Sequence, residues 1–536
     1  MNKFLSSILL FLTLQNFAQT VDTFKIRLEI DSLIELNQSF SNTRKFDQAI
    51  AIIELAENKA LETFGKFHSI YVDCIYNHAA TLYSMRKLSK AENFYLLSKE
   101  IVEKSMEVES PLYSNILNNL GLIYLDMGRF KEAEMLLLKA KNIRESKLGN
   151  RSSKYIASLQ NLAYLYSEMN RYDLAQAYFT ESLKLHETAF GKLNLEYAAN
   201  LNNQASMYMD MGRYFEAEKI YLEVLSIFKM IKKEDSNDFC MTSNNLGNLY
   251  KKMGRYESSE KYYLLAKKIR EQIKETETTS YANSLINIGT LKAEIGQLEN
   301  AEPFLLQAES IISKAIGKAN PQYAGCIRNL GILYKGLNNY PLAMQYFLES
   351  KKIIEDKLGT ENLNYANAIA NLADIYMRLY RFDSAQILYS NSLAIIEKKN
   401  KSKGSLDYIR GLSNLALLKE KMGFTSEAEQ LYQEGINLFE STFGENSLDF
   451  VSILNHLSNL YWKIGRFEDA SELMLRSDTI QRSLLVLGTR HLSEAELLQY
   501  NGRFLKHMEQ CLSLLYEHPQ EAERLQSVCY HDAVFH

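Results

Sequence analysis

Proline is scarce in this chain, with 5 in 536 residues. Proline removes a backbone donor and clashes with the preceding helical turn, so helix interiors exclude it. A sequence this poor in it is free to run in helices. Tryptophan occurs once, against 34 tyrosines. There are five cysteines, Cys74, Cys240, Cys326, Cys511 and Cys529, far apart and with no CxxC pair. An odd number of them argues against a full disulfide framework, and buried free thiols packed as small hydrophobes are expected instead. Lysine and arginine form no block; the net charge is -4 and both signs are mixed along the chain. The electrostatic footprint of nucleic-acid binding is therefore missing. Beyond the first twenty residues no apolar run approaches the roughly 18 residues of a membrane-spanning helix.

Catalytic signatures are also lacking. No HExxH, GxSxG, P-loop or strand-linked GxGxxG pattern occurs. The histidines, among them His78, His456, His491 and His507, are scattered. His518 and His531 flank Cys529 in sequence, but nothing orients a Cys–His pair there. Carboxylates such as Glu132 and Glu134 sit beside Lys131 at helical spacing, the pattern of a solvated helix face. A non-enzymatic chain without cofactor or metal is expected.

What is present begins with a leader. Lys3 is followed by a nearly continuous apolar run from Phe4 to Leu14, then by Phe17-Ala18-Gln19. A short basic start, an apolar stretch too short to span and a small residue for cleavage form the layout of a secretory signal over residues 1–18. Export to the periplasm or cell envelope is the corresponding expectation.

The rest is periodic. Aromatic residues recur at Tyr71, Tyr113, Tyr155, Tyr197, Phe239, Tyr281, Tyr323, Tyr365, Tyr408 and Phe450, every 42 residues save one step of 43. The same text surrounds each: YSNILNNLGLIYLDMGRFKEAE at 113–134, FCMTSNNLGNLYKKMGRYESSE at 239–260. A degraded copy at roughly 29–70 brings the number to about eleven. Each copy splits into two helices of about 17 residues. The first ends at Gly128, Gly212, Gly254, Gly296, Gly423 or Gly465, or at Asn170 or Asn338. Glycine alternating with asparagine marks a left-handed position after a helix. The second often ends at another glycine, as at Gly149 and Gly317. Small residues mark close approach: Gly121, Gly247, Gly289 and Gly331 in first helices, Ala133, Ala217 and Ala343 in second helices. Tyr124, Tyr166, Tyr250 and Tyr334 are the large residues expected to fill the matching holes. No single hairpin buries both faces, so neighbours must stack.

These small, aromatic and alanine positions resemble the tetratricopeptide signature, and the 42-residue length with NNLGxLY…MGRY…AE resembles the longer repeats of kinesin light chains and many bacterial proteins. The resemblance implies an all-α, right-handed superhelical solenoid of about eleven hairpins over 29–484, with a helical cap or connector over 485–536. It also implies a protein or peptide partner held along a concave surface, and no nucleic acid. The tail LSEAELLQYNGRFLKHMEQCLSLLYEHPQEAERLQSVCYHDAVFH resembles the connector that precedes a caspase-like CHAT peptidase domain in bacterial proteins. Ser493 with Glu496 forms a capping box there. The resemblance implies a truncated or naturally split arm of such a protein, with a CHAT-type cysteine peptidase as the alternative partner.

Candidate binding residues form a row. Asn77, Asn119, Asn161, Asn203, Asn245, Asn287, Asn329, Asn371 and Asn414 hold one register in nine consecutive copies, and His456 takes the place in the last. A side-chain amide both donates and accepts, so a ladder of them suits the backbone of an extended peptide; it equally suits bonds between neighbouring helices. In the kinesin-light-chain-like family such asparagines are associated with peptide holding. A second row runs Asp126, Glu168, Asp210, Lys252, Glu294, Gly336, Arg378, Lys421 and Lys463, acidic at its start and mostly basic at its end. Trp462, on the same face, is a candidate anchor.

Overall fold

The structure is a computed structural model that describes residues 23–489, except 44, 106, 401–402 and 446 and the side chains at 400, 448 and 484–489. The expected leader, the tail beyond 489, Cys511 and Cys529 lie outside the described residues. Among those described, every regular element is a helix, and the helices pair into eleven hairpins. The first unit of the chain holds α1 (23–42), α2 (Phe46–Phe64), α3 (Ser69–Ser84), α4 (Leu88–Ser105), α5 (Pro111–Asp126), α6 (Phe130–Leu148), α7 (Ser153–Glu168) and α8 (Tyr172–Phe190). The second holds α9 (Leu195–Asp210), α10 (Tyr214–Met230), α11 (Asn237–Lys252), α12 (Tyr256–Gln272), α13 (Thr279–Glu294), α14 (Leu298–Ile316) and α15 (Pro321–Gly336). It continues with α16 (Tyr340–Leu358), α17 (Leu363–Arg378), α18 (Phe382–Asn400), α19 (Leu406–Lys421), α20 (Thr425–Phe443), α21 (Leu448–Lys463) and α22 (Phe467–Thr489). The division falls between Gly191 and Lys192. The 42-residue register runs through that point from Tyr155 to Tyr197, so the spacing carries no sign of it. α22 extends past 484, where the repeats were expected to end.

Local chemistry fixes the helix ends. The row of aromatics occupies the third helical position, and in seven of the ten copies its backbone N–H donates to a capping side chain three residues earlier; at Tyr71, Tyr323 and Phe450 that side chain instead receives the N–H of the preceding residue. Ser110 receives Tyr113 N at 3.2 Å, Thr278 receives Tyr281 N at 3.2 Å and Asn362 receives Tyr365 N at 3.0 Å. Each cap satisfies a donor that the first turn leaves open. First helices end as their spacing predicts, at a left-handed residue: Gly128 at φ 71°, Asn170 at 57° and Asn338 at 58°, with Arg86 and Tyr380 forced into the same conformation.

Second helices end in two ways. Those followed by glycine run to 19 residues and stop where φ is positive and ψ extended, as at Gly317 (φ 79°, ψ 162°). Almost only glycine enters that region. Where Lys233 and Glu275 stand in the glycine's place, α10 and α12 stop at 17 residues, and Lys232 and Lys274 turn left-handed instead. Gly317→Ala is thus expected to destabilise the chain by roughly 1–3 kcal/mol. Gly325→Ala, inside α15 with open space around a new Cβ, is expected to be neutral or stabilising by up to about 1 kcal/mol. Paired thermal melts of the two variants check the contrast.

Packing within a hairpin follows the small residues, though the tyrosine row is not what fills the holes. A Cβ on Gly247 would lie 2.6 Å from the Tyr263 ring, and one on Gly331 2.6 Å from Phe347. Leu137 and Leu305 stand the same way against Gly121 and Gly289. The holes are thus filled by large residues of the second helix. The first-helix tyrosines instead join hairpins together. Tyr166 OH donates to Glu134 of the preceding second helix at 2.8 Å, and Arg171 reaches the same carboxylate. Tyr250 and Arg255 repeat this on Glu218, and Tyr461 and Arg466 on Glu429. The guanidinium also lies over the ring, 4.4 Å from its centre at Tyr250. Where tyrosine, arginine and glutamate all recur, they therefore hold consecutive repeats together.

Within each unit, successive first helices touch one another, as α5 touches α7 and α13 touches α15; successive second helices make no comparable contact among the described residues. First helices therefore line the inner side of each stack. In the second unit the Tyr214 hydroxyl is pushed up to about 12 by burial and by the negative charge of Asp449, with Arg410 opposing.

Candidate functional site

The asparagine row lies on first helices, on the inner face, and its members differ in what they bond. In the first unit their amides are largely engaged by the fold. Asn77 donates to the Asp73 carbonyl at 2.8 Å and accepts from Gln38 at 2.9 Å. Asn119 donates to Tyr76 and Tyr95 hydroxyls at 2.8 and 3.0 Å. Asn161 donates to Oδ1 of Asn118, on the preceding first helix, at 2.9 Å.

The second unit leaves more of the row open. Asn245 donates to Asn202 at 3.3 Å, and Asn371 turns back to the Asn367 carbonyl at 2.9 Å. Asn203 and Asn414 are exposed, Asn287 and Asn329 half-buried, and none of these four side chains makes a hydrogen bond among the described residues. His456 ends the row stacked parallel on Tyr432, ring centres 6.0 Å apart, with burial holding its pKa below the usual imidazole value.

The charged row is partly neutralised by its neighbours. Asp126 accepts from Tyr83 at 2.9 Å and Arg86 at 2.6 Å. Burial raises Asp210 and Glu294, with Lys252 and Lys251 respectively opposing. Arg378 stands 3.4 Å from Asp374, and Lys463 pairs with Glu420 at 2.5 Å. Lys421 is exposed and carries no ion pair among the described residues. Trp462 is half-buried and packs edge-on against Phe467, ring centres 4.7 Å apart, on the core of the last two hairpins. No group of three or more histidines, cysteines, aspartates and glutamates able to hold a metal occurs among the described residues. No described helix is long and apolar enough to cross a membrane. Cys74, Cys240 and Cys326 are buried free thiols.

A family model described as tetratricopeptide repeat matches residues 112–188, 196–272, 238–314, 280–356 and 407–483, more than half of the chain, and a second of the same description matches 72–99. The chain is a tetratricopeptide-repeat protein. No curated protein matches it. Among solved structures it is similar to BtubC (BKLC) from P. vanneervenii, with 17% identity, 44% of this chain and 91% of that one covered, and a TM-score of 0.34. It is similar to a Rap protein complexed with competence and sporulation factor, with 15% identity, 70% and 99% covered, and a TM-score of 0.49. The apo quorum sensor NprR from B. thuringiensis gives 17% identity, 69% and 99% covered, and a TM-score of 0.46.

For this tetratricopeptide-repeat protein the repeated text proves to be mostly assembly chemistry. The capping row three residues before each aromatic was a legible signal that spacing arguments passed over. The split of the asparagine row was not legible, because it depends on the neighbour each amide meets. The adjacent residue does not decide it alone: asparagine at 118 and 202 receives Asn161 and Asn245, whereas asparagine at 244 leaves its oxygen without a partner.

Proposed function

We propose that this protein is a protein–protein interaction scaffold, holding an extended segment of its partner along the inner face of the second unit. The observation that carries this is the set of four amides, Asn203, Asn287, Asn329 and Asn414, which share one register and make no bond within the fold. A peptide backbone presents one donor and one acceptor per residue, and a side-chain amide complements both. Recognition through the backbone tolerates varied sequence, leaving selectivity to the side chains around it. The test is retention of partners from cell-envelope extract by the full chain and by a variant with alanine at 287, 329 and 414. Loss of a specific partner from a variant with unchanged circular dichroism supports the scaffold; equal retention by both sinks it.

Selectivity is assigned to the charged row, with its basic end at Lys421 and Lys463 preferring acidic segments. Reversing both lysines to glutamate is expected to weaken an acidic partner by about 3- to 30-fold at low salt, and less at high salt, where such charges are screened. An affinity unchanged at low salt removes the assignment. Trp462 serves as an anchor beside them. Export through the signal at 1–18 places the scaffold in the periplasm or envelope; fractionation with N-terminal sequencing of the product tests this.

The second reading is the recognition arm of a CHAT-type cysteine endopeptidase, and it rests on the tail sequence 492–536. A reading frame that continues past codon 536 into a glycine-rich strand with a His…Cys pair supports it. A stop codon with no peptidase gene nearby favours the free-standing scaffold.

A further inference from the structure

Second helices carry a row of leucines on their exposed side. In the second unit it runs without a break through four hairpins, as Leu222 on α10, Leu264 on α12, Leu306 on α14 and Leu348 on α16. These are 41%, 43%, 40% and 46% exposed. The residue before each, Tyr221, Tyr263, Leu305 or Phe347, is the one that fills the hairpin, at most 1% exposed. A hairpin forms without the leucine. The same place is Thr180 in α8, Ser390 in α18 and Gln433 in α20, and these helices pair with α7, α17 and α19 as the others do. Single exposed leucines are ordinary on a protein surface, but a row of them on four neighbouring helices is an apolar patch of the kind that takes a partner.

The step of the row says which partner. Successive second helices make no contact comparable to that between first helices among the described residues, so a groove separates each from the next. A surface that enters these grooves and meets every leucine must itself repeat at the same step, as a second copy of this chain does. The charges fit the same partner. On the side of the row nearer the helix N-termini stand Lys219 and Lys261, three residues before a leucine. On the other side stand Glu223 and Glu349, one residue after a leucine. None of the four is in an ion pair among the described residues. A copy turned end for end sets the lysine side of one row against the glutamate side of the other.

We propose that the leucine row joins two copies of this chain, outer side against outer side, as a two-fold dimer whose patch is the same on both. The outer side of a repeat stack is convex, so the middle rungs, Leu264 and Leu306, carry most of the contact. Two convex faces meet over less than the roughly 800 Å² per partner of a standard interface, which makes a weak, concentration-dependent dimer. Both inner faces stay open, so the dimer neither needs nor blocks the scaffold reading above.

The test is sedimentation velocity of the full chain from about 1 to 200 µM, with a dissociation constant in the micromolar range expected. Leu264→Gln/Leu306→Gln places at both rungs a residue that the fold already carries at 433, so circular dichroism and melting temperature are expected to match the parent. The same variant is expected to weaken the dimer by about tenfold or more. Lys219→Glu/Lys261→Glu is expected to weaken it by roughly threefold or more at low salt, and by less at high salt. A monomer over the whole range overturns the proposal and leaves the row to another occupant. A dimer held equally tightly by the parent and by folded Leu264→Gln/Leu306→Gln overturns it as well, by placing the contact elsewhere.

Discussion

Arg255→Ala is expected to cost about 3–5 kcal/mol of unfolding free energy, the penalty for removing one partner of a buried ion pair. Arg255 and Glu218 are 7% and 12% exposed, and their closest atoms are 2.8 Å apart. The same carboxylate oxygen receives Tyr250 OH at 2.8 Å. Without the guanidinium, Glu218 remains buried with one phenol to satisfy a full negative charge. The counterpart in the first unit, Arg171 with Glu134, is 47% and 26% exposed, and Arg171→Ala is expected to cost only about 0–1 kcal/mol. Denaturant unfolding of both variants measures the contrast. Hydrogen exchange places the larger loss at α10, α11 and α12, the helices that this ion pair ties together. Similar losses for the two variants would contradict the assignment of burial as the cause.

Phe347→Ala is the other large effect, at about 3–5 kcal/mol, because Phe347 is 1% exposed and fills the hole over Gly331. The more telling result is a change of sign. In the parent chain, Gly331→Ala places a methyl 2.6 Å from the Phe347 ring, and overpacking of that kind costs about 1–3 kcal/mol. In the Phe347→Ala background the ring is gone. There the same change fills part of a cavity and gains the roughly 1 kcal/mol by which alanine exceeds glycine in a helix. Gly331→Ala is thus expected to destabilise the parent and stabilise the Phe347→Ala chain, a coupling that a double-mutant cycle reads directly.

The hairpins were legible because their marks are local. A glycine or asparagine that closes a helix, and an aromatic on a 42-residue register, act within a few residues of their own position. The choice of what fills a hole was not. Tyr124 and Leu137 are both large and both follow Gly121 in sequence, and only the packing of α5 on α6 decides that Leu137 meets the glycine. The candidate site shows the same limit. A row of asparagines was visible, but whether each amide reaches an acceptor on the preceding first helix depends on how the two helices pack. Asn118 offers one to Asn161, whereas Arg328 offers none to Asn371. The register through Gly191 is unbroken, so the boundary between the two units had no periodic mark at all.

The central claim is that the open amides of the second unit hold a peptide by its backbone. The most direct measurement selects binders to the full chain from a random dodecapeptide library and compares their affinity for the parent and for Asn287→Ala/Asn329→Ala/Asn414→Ala. Three lost hydrogen bonds at about 0.5–1.5 kcal/mol each predict at least a tenfold loss, shared by peptides of unrelated sequence. Enriched peptides that bind the folded variant as tightly as the parent would contradict the claim.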